Sequence, residues 1–368
     1  VTTSLYRPIA VSLSSGELTY ESAGAYALRS PSTANATLVG YGDSYVSGQG
    51  ATSGMDFFAR YYAMGGYAAY SNRGNGGDKA AHCVNRVLGN TSTPFAAGLG
   101  KVWLVDVGLN DVRYGSDGNA TYLAEFQLAF ATIMRTLTAG TLVNQNAAAF
   151  AYPVGSWTLN SADSASSSGT QSFSSTAGAT FTYTVPSGVT TVSLVVVGFS
   201  TGNTVTWTVN GGSSQAVTYR STALGGLSYV RCVQTFTGVT TGNVIQGVST
   251  SGTFIVDGAL IPSTTPPPIL WLLPVTLADW AGTSPTAGST ANRNALAAWV
   301  KTQTATYTTL RVIDPLVPPT GVADVWDTST MIDADTVHPN DRGHEFLARC
   351  VYAEASALAF PTTGLHSA

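Results

Sequence analysis

The chain has 368 residues, 44% of them hydrophobic and only 10% charged, with a formal net charge of −4. Length and apolar content suffice for two packed domains, whereas the lack of any Lys/Arg run excludes the basic footprint of a nucleic-acid binder, so no nucleic-acid partner is expected. No apolar stretch reaches the roughly 18–20 residues that span a bilayer, so no transmembrane segment is expected either.

The charged fraction is well below the about 25% of ordinary globular chains. Gly, Ser, Thr and Ala fill the vacated positions, which suits an extracellular protein, secreted or virion-associated, a phage tail component included. The chain opens on Val1 rather than Met, which reads as a trimmed or processed start. Cys83, Cys232 and Cys350 are widely spaced and form no CxxC pair, so neither a metal site nor a redox motif is expected. One disulfide plus a free thiol and three buried thiols are both open.

Residues 1–35 read as an N-terminal extension. The first strong strand, Ala36 to Tyr41, is a short apolar run closed by Gly42-Asp43-Ser44, as expected of a buried parallel strand delivering a loop. A second, Lys101 to Val107, ends at Gly108-Leu109-Asn110-Asp111, and Thr121 to Leu137 then carries apolar residues at helical spacing. Between Gly155 and Pro262 that periodicity vanishes. Short strands rich in Val, Thr, Tyr and Phe recur between Gly/Ser/Asn turns, at 179–185, 190–197, 204–209, 216–220, 227–237 and 253–261. Asp163, Arg220, Arg231 and Asp257 are the only charges there. This texture predicts a jelly-roll-like β-sandwich over 155–262, inserted into an α/β domain formed by 36–154 and 263–368. The proline-rich run Pro262 to Pro268 serves as the return linker. Two more buried strands, Ile269 to Val275 and Leu310 to Asp314, flank a helical stretch from Ala291 to Thr302, and Glu345 to Ala353 is again helical. Strand, polar loop and helix in alternation predict a parallel sheet with helices on both faces.

Chemistry concentrates at the strand ends. Ser44 follows the first strand directly, where open α/β folds place their sites, although Gly-Asp-Ser alone is more often a turn or a helix cap. A serine hydroxyl needs a base. Of the four histidines, His338 lies three residues after Asp335 and just before the last helix, so one loop would supply both an imidazole and the carboxylate that orients it. Asn110 offers a side-chain donor for an oxyanion at the end of another strand. The glycine-dense segment Asn72 to Asp78 could line the same pocket with backbone N–H groups. Asp43 and Asp111 suit hydrogen bonding within their loops, and His82 and His344 suit structural or pocket-rim roles.

Taken together and in this order, Gly42-Asp43-Ser44 with Gly48, Asn72 to Asp78, Gly108 to Asp111, and Asp335, His338 and Pro339 resemble the blocks of the SGNH (GDSL-like) hydrolases, over about 220 of the 368 residues. The resemblance implies a flavodoxin-like three-layer α/β/α fold and a serine esterase. Its triad would be Ser44, His338 and Asp335, and its oxyanion hole the amides of Ser44 and Gly77 with the side chain of Asn110. It implies no cofactor and no metal. Tyr45 departs from the family, many of whose members carry Leu after the serine. The insertion resembles the β-sandwiches that accompany some esterases acting on acetylated cell-wall or capsular polysaccharides. An acylated carbohydrate, with a short O-acetyl ester, is therefore the expected substrate. Trp157, Tyr183, Trp207, Tyr219 and Tyr229 are either stacking faces for sugars or core. The competing readings are a lipolytic esterase for longer acyl chains or envelope lipids, and an inactive glycan-binding adhesin.

Overall fold

The computed structural model describes residues 36–89, 101–114, 121–163, 166, 169–199, 203–219, 229–250, 253–277, 280 and 289–356. The expected extension 1–35 and His366 lie outside them. Chain order begins β1 (Thr37–Gly42), α1 (Phe57–Gly65), β2 (Ala69–Gly74), α2 (Ala80–Gly89), β3 (Lys101–Asp106), α3 (Leu109–Tyr114) and α4 (Thr121–Leu137). Eleven strands follow: β4 (Ala139–Asn144), β5 (Phe150–Val154), β6 (Trp157–Ala162), β7 (Thr170–Ser174), β8 (Thr180–Thr184), β9 (Thr191–Phe199), β10 (Asn203–Val209), β11 (Gln215–Tyr219), β12 (Tyr229–Thr237), β13 (Val244–Ser249) and β14 (Phe254–Pro262). The chain returns through β15 (Ile269–Leu272), α5 (Thr290–Thr302), β16 (Leu310–Ile313), α6 (Thr328–Met331) and α7 (Asp341–Ser356).

Five parallel strands form one sheet in the order β16-β15-β3-β1-β2. Counted in chain order this is 2-1-3-4-5, the doubly wound flavodoxin-like arrangement. Alternate side chains separate into two cores, as strand geometry requires. Val39, Tyr41, Trp103, Val105, Ile269 and Trp271 pack with α2, α4 and α5. Leu38, Val102, Leu104, Leu270 and Leu272 pack with α1 and α7 on the opposite face. Both faces are thus covered, which is why these strands read as near-continuous apolar runs. Strand β2 is the exception. It sits at the sheet edge with Tyr70 about half exposed, so its sequence Ala-Tyr-Ser-Asn-Arg-Gly lacks the apolar signal, and the loop expected from Asn72 begins only after Gly74.

The remaining strands form two antiparallel sheets, β11-β10-β13-β8-β5 and β12-β9-β14-β7-β6, with β4 also paired to β14. Phe181 meets Phe254 across the sandwich at 5.4 Å between ring centroids, and Trp207 meets Phe236 at 5.5 Å. Tyr183, Trp207 and Tyr219 are buried in this core. They are packing residues, whereas Trp157 and Tyr229 are half-buried. The expected boundary at Gly155 is too late. Antiparallel pairing starts at Ala139, because β4 runs against β14 and β5 against β8 before that glycine is reached. Their short, mixed sequences were read as a continuation of the α/β domain.

The sandwich leans on the α2/α4 layer through the outer face of β12. Arg231 there is fully buried; its Nε donates to Asp257 Oδ2 at 2.7 Å, Nη2 lies 3.2 Å from Asp163 Oδ2, and Nη1 donates to Asn85 of α2 at 3.4 Å. Three of the four charges between 155 and 262 therefore meet in one buried cluster. Cys83, Cys232 and Cys350 are separate buried thiols, which settles the sulfur question among the described residues.

Candidate active site

The site lies at the carboxyl edge of the parallel sheet. Register fixes it there, since Gly42 is level with both Gly74 and Asp106 on the two neighbouring strands. The loops that follow, Asp43 to Gly50, Asn75 to Lys79 and Val107 to Asn110, consequently leave the sheet side by side. Close approach demands glycine at position 74, where a Cβ would sit 2.3 Å from the Ser47 nitrogen. Gly77 has φ +81°, a backbone that side-chain-bearing residues rarely adopt, and nothing crowds the position a side chain would take. A Cβ on its neighbour Gly76 would stand 3.9 Å from Ser44 Cβ, so the glycine loop borders the serine directly.

Ser44 is held in a tight turn. Ser47 N–H donates to the Asp43 carbonyl at 3.1 Å and Gln49 N–H to the Ser44 carbonyl at 2.9 Å. Asp43 Oδ1 accepts the Tyr45 N–H at 3.0 Å, and Oδ2 accepts the Asn110 amide at 3.3 Å. Asn110 Nδ2 also donates to the Asp78 carbonyl at 3.0 Å, while Arg113 Nη1 donates to its oxygen at 3.3 Å. The first three sequence blocks are thereby cross-linked around one buried amide. Asp111 Oδ2 accepts the Ala80 N–H at 3.0 Å at the start of α2, and Arg86 pairs with Asp78 at 2.6 Å. Asp43 and Asp111 thus serve their loops as hydrogen-bond acceptors.

This floor is rich in buried carboxyls. Burial, reinforced by Asp111 and Asp78, raises the Asp43 carboxyl above its usual range against the Tyr45 hydrogen bond. Burial together with the Asp43 charge raises Asp106 well above it, and burial lifts Asp111 to about 6. Both Asp43 oxygens accept N–H donors, whereas Asp106 Oδ2 is buried and unpartnered among the described residues. Of the two, Asp106 is the carboxyl whose surroundings most favour the protonated form.

The fourth block comes from the far end of the chain. Asp335 Oδ2 pairs with His338 Nδ1, and Asp335 Oδ1 accepts the N–H groups of Val337 and His338, each at 2.9 Å. Partial burial works to raise the Asp335 carboxyl, but the His338 ring and these amides outweigh it and hold it below the usual range. The carboxylate thus orients the imidazole from a turn three residues long. This segment joins the Ser44 segment at several points. Tyr45 Oη donates to the Val337 carbonyl at 2.7 Å, with its ring edge-on to His338 at 6.2 Å. Thr52 donates to Asp341 from its N–H and its hydroxyl, both at 2.8 Å. A Cβ on Gly50 would meet His338 Cβ at 2.9 Å. Among the described residues no hydrogen bond joins the Ser44 hydroxyl to His338; the two loops meet through these neighbours.

The sequence reading missed the contribution of Asp106, which follows an apolar run and carries no motif, and of Tyr45. His344 is more central than a rim residue: fully buried, it accepts the Phe57 N–H at Nδ1, 3.2 Å away, so that Nε2–H donates to the Gln49 carbonyl at 3.1 Å. Burial lowers its pKa, keeping the ring neutral. His82 Nδ1 accepts the Lys79 N–H at 3.0 Å, a capping role at α2. Among the described residues no group of three or more His, Cys, Asp or Glu side chains could hold a metal ion, and no helix is long and apolar enough to cross a membrane.

No family model matches the chain, and no curated protein matches it. Solved structures do. A two-domain esterase active on acetylated mannans is similar at 10% identity over 63% of this chain and 93% of its own, with a TM-score of 0.36. A carbohydrate-binding module, CBM35 from Cellvibrio japonicus Abf62, covers 33% of this chain and 92% of its own at 15% identity and TM-score 0.27. The chain is also similar, at 11% identity and TM-score 0.41 over 88% of its length and 99% of the other, to a member of the lipolytic protein G-D-S-L family from Veillonella parvula DSM 2008.

Proposed function

We propose that the chain is a serine esterase of the SGNH type that removes short O-acyl groups, acetyl above all, from a neutral polysaccharide outside the cell. The observation that carries the reading is the Asp335–His338 pair bound to the loop of Ser44 at the same sheet edge as Asn110 and Gly77. In this reading His338 takes the Ser44 proton as Oγ attacks the ester carbonyl, and Asp335 stabilises the imidazolium. The amides of Ser44 and Gly77 and the Asn110 side chain receive the oxyanion. Collapse expels the sugar hydroxyl, which takes the proton from His338, and water then hydrolyses the acyl-enzyme by the same steps in reverse. Every group this requires is a side chain or amide of the chain itself.

The inserted sandwich acts in this reading as a jelly-roll-like, carbohydrate-binding module. A neutral ligand is favoured because Asp163, Arg231 and Asp257 are committed to their buried cluster. Half-buried Trp157, its ring 4.7 Å from that of Tyr152, and half-buried Tyr229 are the stacking faces it retains among the candidates.

The test is acetate release from acetylated polysaccharides, acetylated mannan among them, and from simple esters of increasing acyl length, with wild type and Ser44→Ala in parallel. The reading expects release by wild type alone and a steep fall with acyl length. Preference for long acyl chains would replace it with a lipolytic esterase. Glycan binding with no ester cleavage would replace it with an adhesin.

A further inference from the structure

Tyr45 follows the serine directly, yet its side chain belongs to the other half of the site. The ring is buried and its hydroxyl donates to the Val337 carbonyl at 2.7 Å, 292 residues away in the chain. Val337 lies between the two members of the acid–base pair. Its N–H is bound by Asp335 Oδ1, and the next residue is His338 itself. The residue before it, Thr336, has φ +64°, a left-handed backbone that a β-branched side chain adopts only when its surroundings impose it. Three bonds impose it here: the Thr336 N–H to the Asp333 carbonyl at 3.0 Å, the Asp333 N–H to the His338 carbonyl at 2.7 Å, and the Tyr45 hydroxyl on Val337. The first two are internal to the loop and fix its shape. Tyr45 is bonded to the nucleophile's own segment, one residue from Ser44.

We infer that Tyr45 is a positioning residue, whose hydroxyl, given to the Val337 carbonyl, holds the Asp335–His338 loop in register with Ser44. A phenylalanine at this position fills the same space and donates nothing, so the link from the residue after Ser44 to the Val337 carbonyl rests on the hydroxyl alone. The inference rests on the esterase reading. Tyr45 is buried and gives its hydroxyl to Val337, so in the esterase reading its removal acts on the attack geometry and not on ground-state binding.

The experiment measures kcat and KM on a short-chain p-nitrophenyl ester for wild type, Tyr45→Phe, Tyr45→Leu and Ser44→Ala, each with its melting temperature. Tyr45→Phe and Tyr45→Leu are expected to lower kcat about tenfold or more with KM within about twofold, at a melting temperature that leaves both folded during the assay. In proton NMR, the downfield resonance of the His338 Nδ1–H is expected to lose its protection from exchange in the same variants. Tyr45→Leu removes the same hydroxyl and serves if Tyr45→Phe does not fold. A kcat within about twofold of wild type in Tyr45→Phe, or in Tyr45→Leu where that is the folded variant, overturns the inference, as does a loss confined to KM. Failure of the esterase reading looks different. Hydrolysis that persists in Ser44→Ala removes the nucleophile, and with it any registration around it.

Discussion

Asn110 Nδ2 divides its two hydrogens between Asp43 Oδ2, at 3.3 Å, and the Asp78 carbonyl, at 3.0 Å. One side chain thereby fixes the residue before Ser44 and the residue after Gly77. In the esterase reading the oxyanion takes the hydrogen now shared with Asp43, the longer of the two bonds, so Asn110→Ala removes an oxyanion donor and a loop anchor at once. Loss of one such donor costs on the order of 10²–10³ in kcat. A fall of that size is expected, with the protein still folded by circular dichroism; an unchanged kcat would remove Asn110 from the oxyanion hole.

Asp106 yields a prediction in pH. Its folded pKa lies well above the unfolded value, so the folded state binds the extra proton, and stability is full below the unfolded pKa of about 3.9 and is lost as pH rises toward the folded value. Asp106→Asn keeps the shape and has no proton to lose. The difference in unfolding free energy, variant minus wild type, is expected to grow as pH climbs from about 4 through neutrality, as measured by urea melts across that range. A difference that stays flat would mean that Asp106 is ionised in the fold.

Arg231 ties the sandwich to α2 while fully buried beside Asp257. Truncating one member of a buried pair leaves the other charge stranded, typically at about 3–5 kcal/mol. Arg231→Ala is therefore expected to destabilise the protein by that order, and replacing Arg231, Asp163 and Asp257 together by Met, Leu and Leu to recover much of the loss. Chemical denaturation of the single and triple variants checks this; a loss under about 1 kcal/mol in the single variant would show the cluster to be hydrated.

How much was legible in the sequence varied with burial. Strands β1, β3, β15 and β16 are covered on both faces or nearly so, and their apolar runs announced them. Helix α4 matched its expected span, Thr121 to Leu137, because one side of it faces the sheet and leaves a 3.6-residue stripe. Edge strand β2 and the first sandwich strands β4 and β5 carry half-exposed, mixed side chains, so periodicity could not find them. That weakness moved the sandwich boundary from Ala139 to Gly155. For the five Trp and Tyr residues singled out in the insertion, strand alternation could not tell core from surface, since that depends on which face the second sheet covers.

By itself the sequence determined the candidate groups and their local company: Ser44 after a buried strand, Asp335 three residues from His338, Asn110 at another strand end. Those are short-range relations, carried by a single turn and a side-chain period of two. Only the tertiary structure decided what lies between the blocks. The Tyr45 hydroxyl on the Val337 carbonyl, the burial of Asp106 beside the Asp43 charge, and the gathering of Asp163, Arg231 and Asp257 against Asn85 all bring together residues far apart in the chain. Such contacts are set by sheet register and layer packing, and no local pattern encodes them.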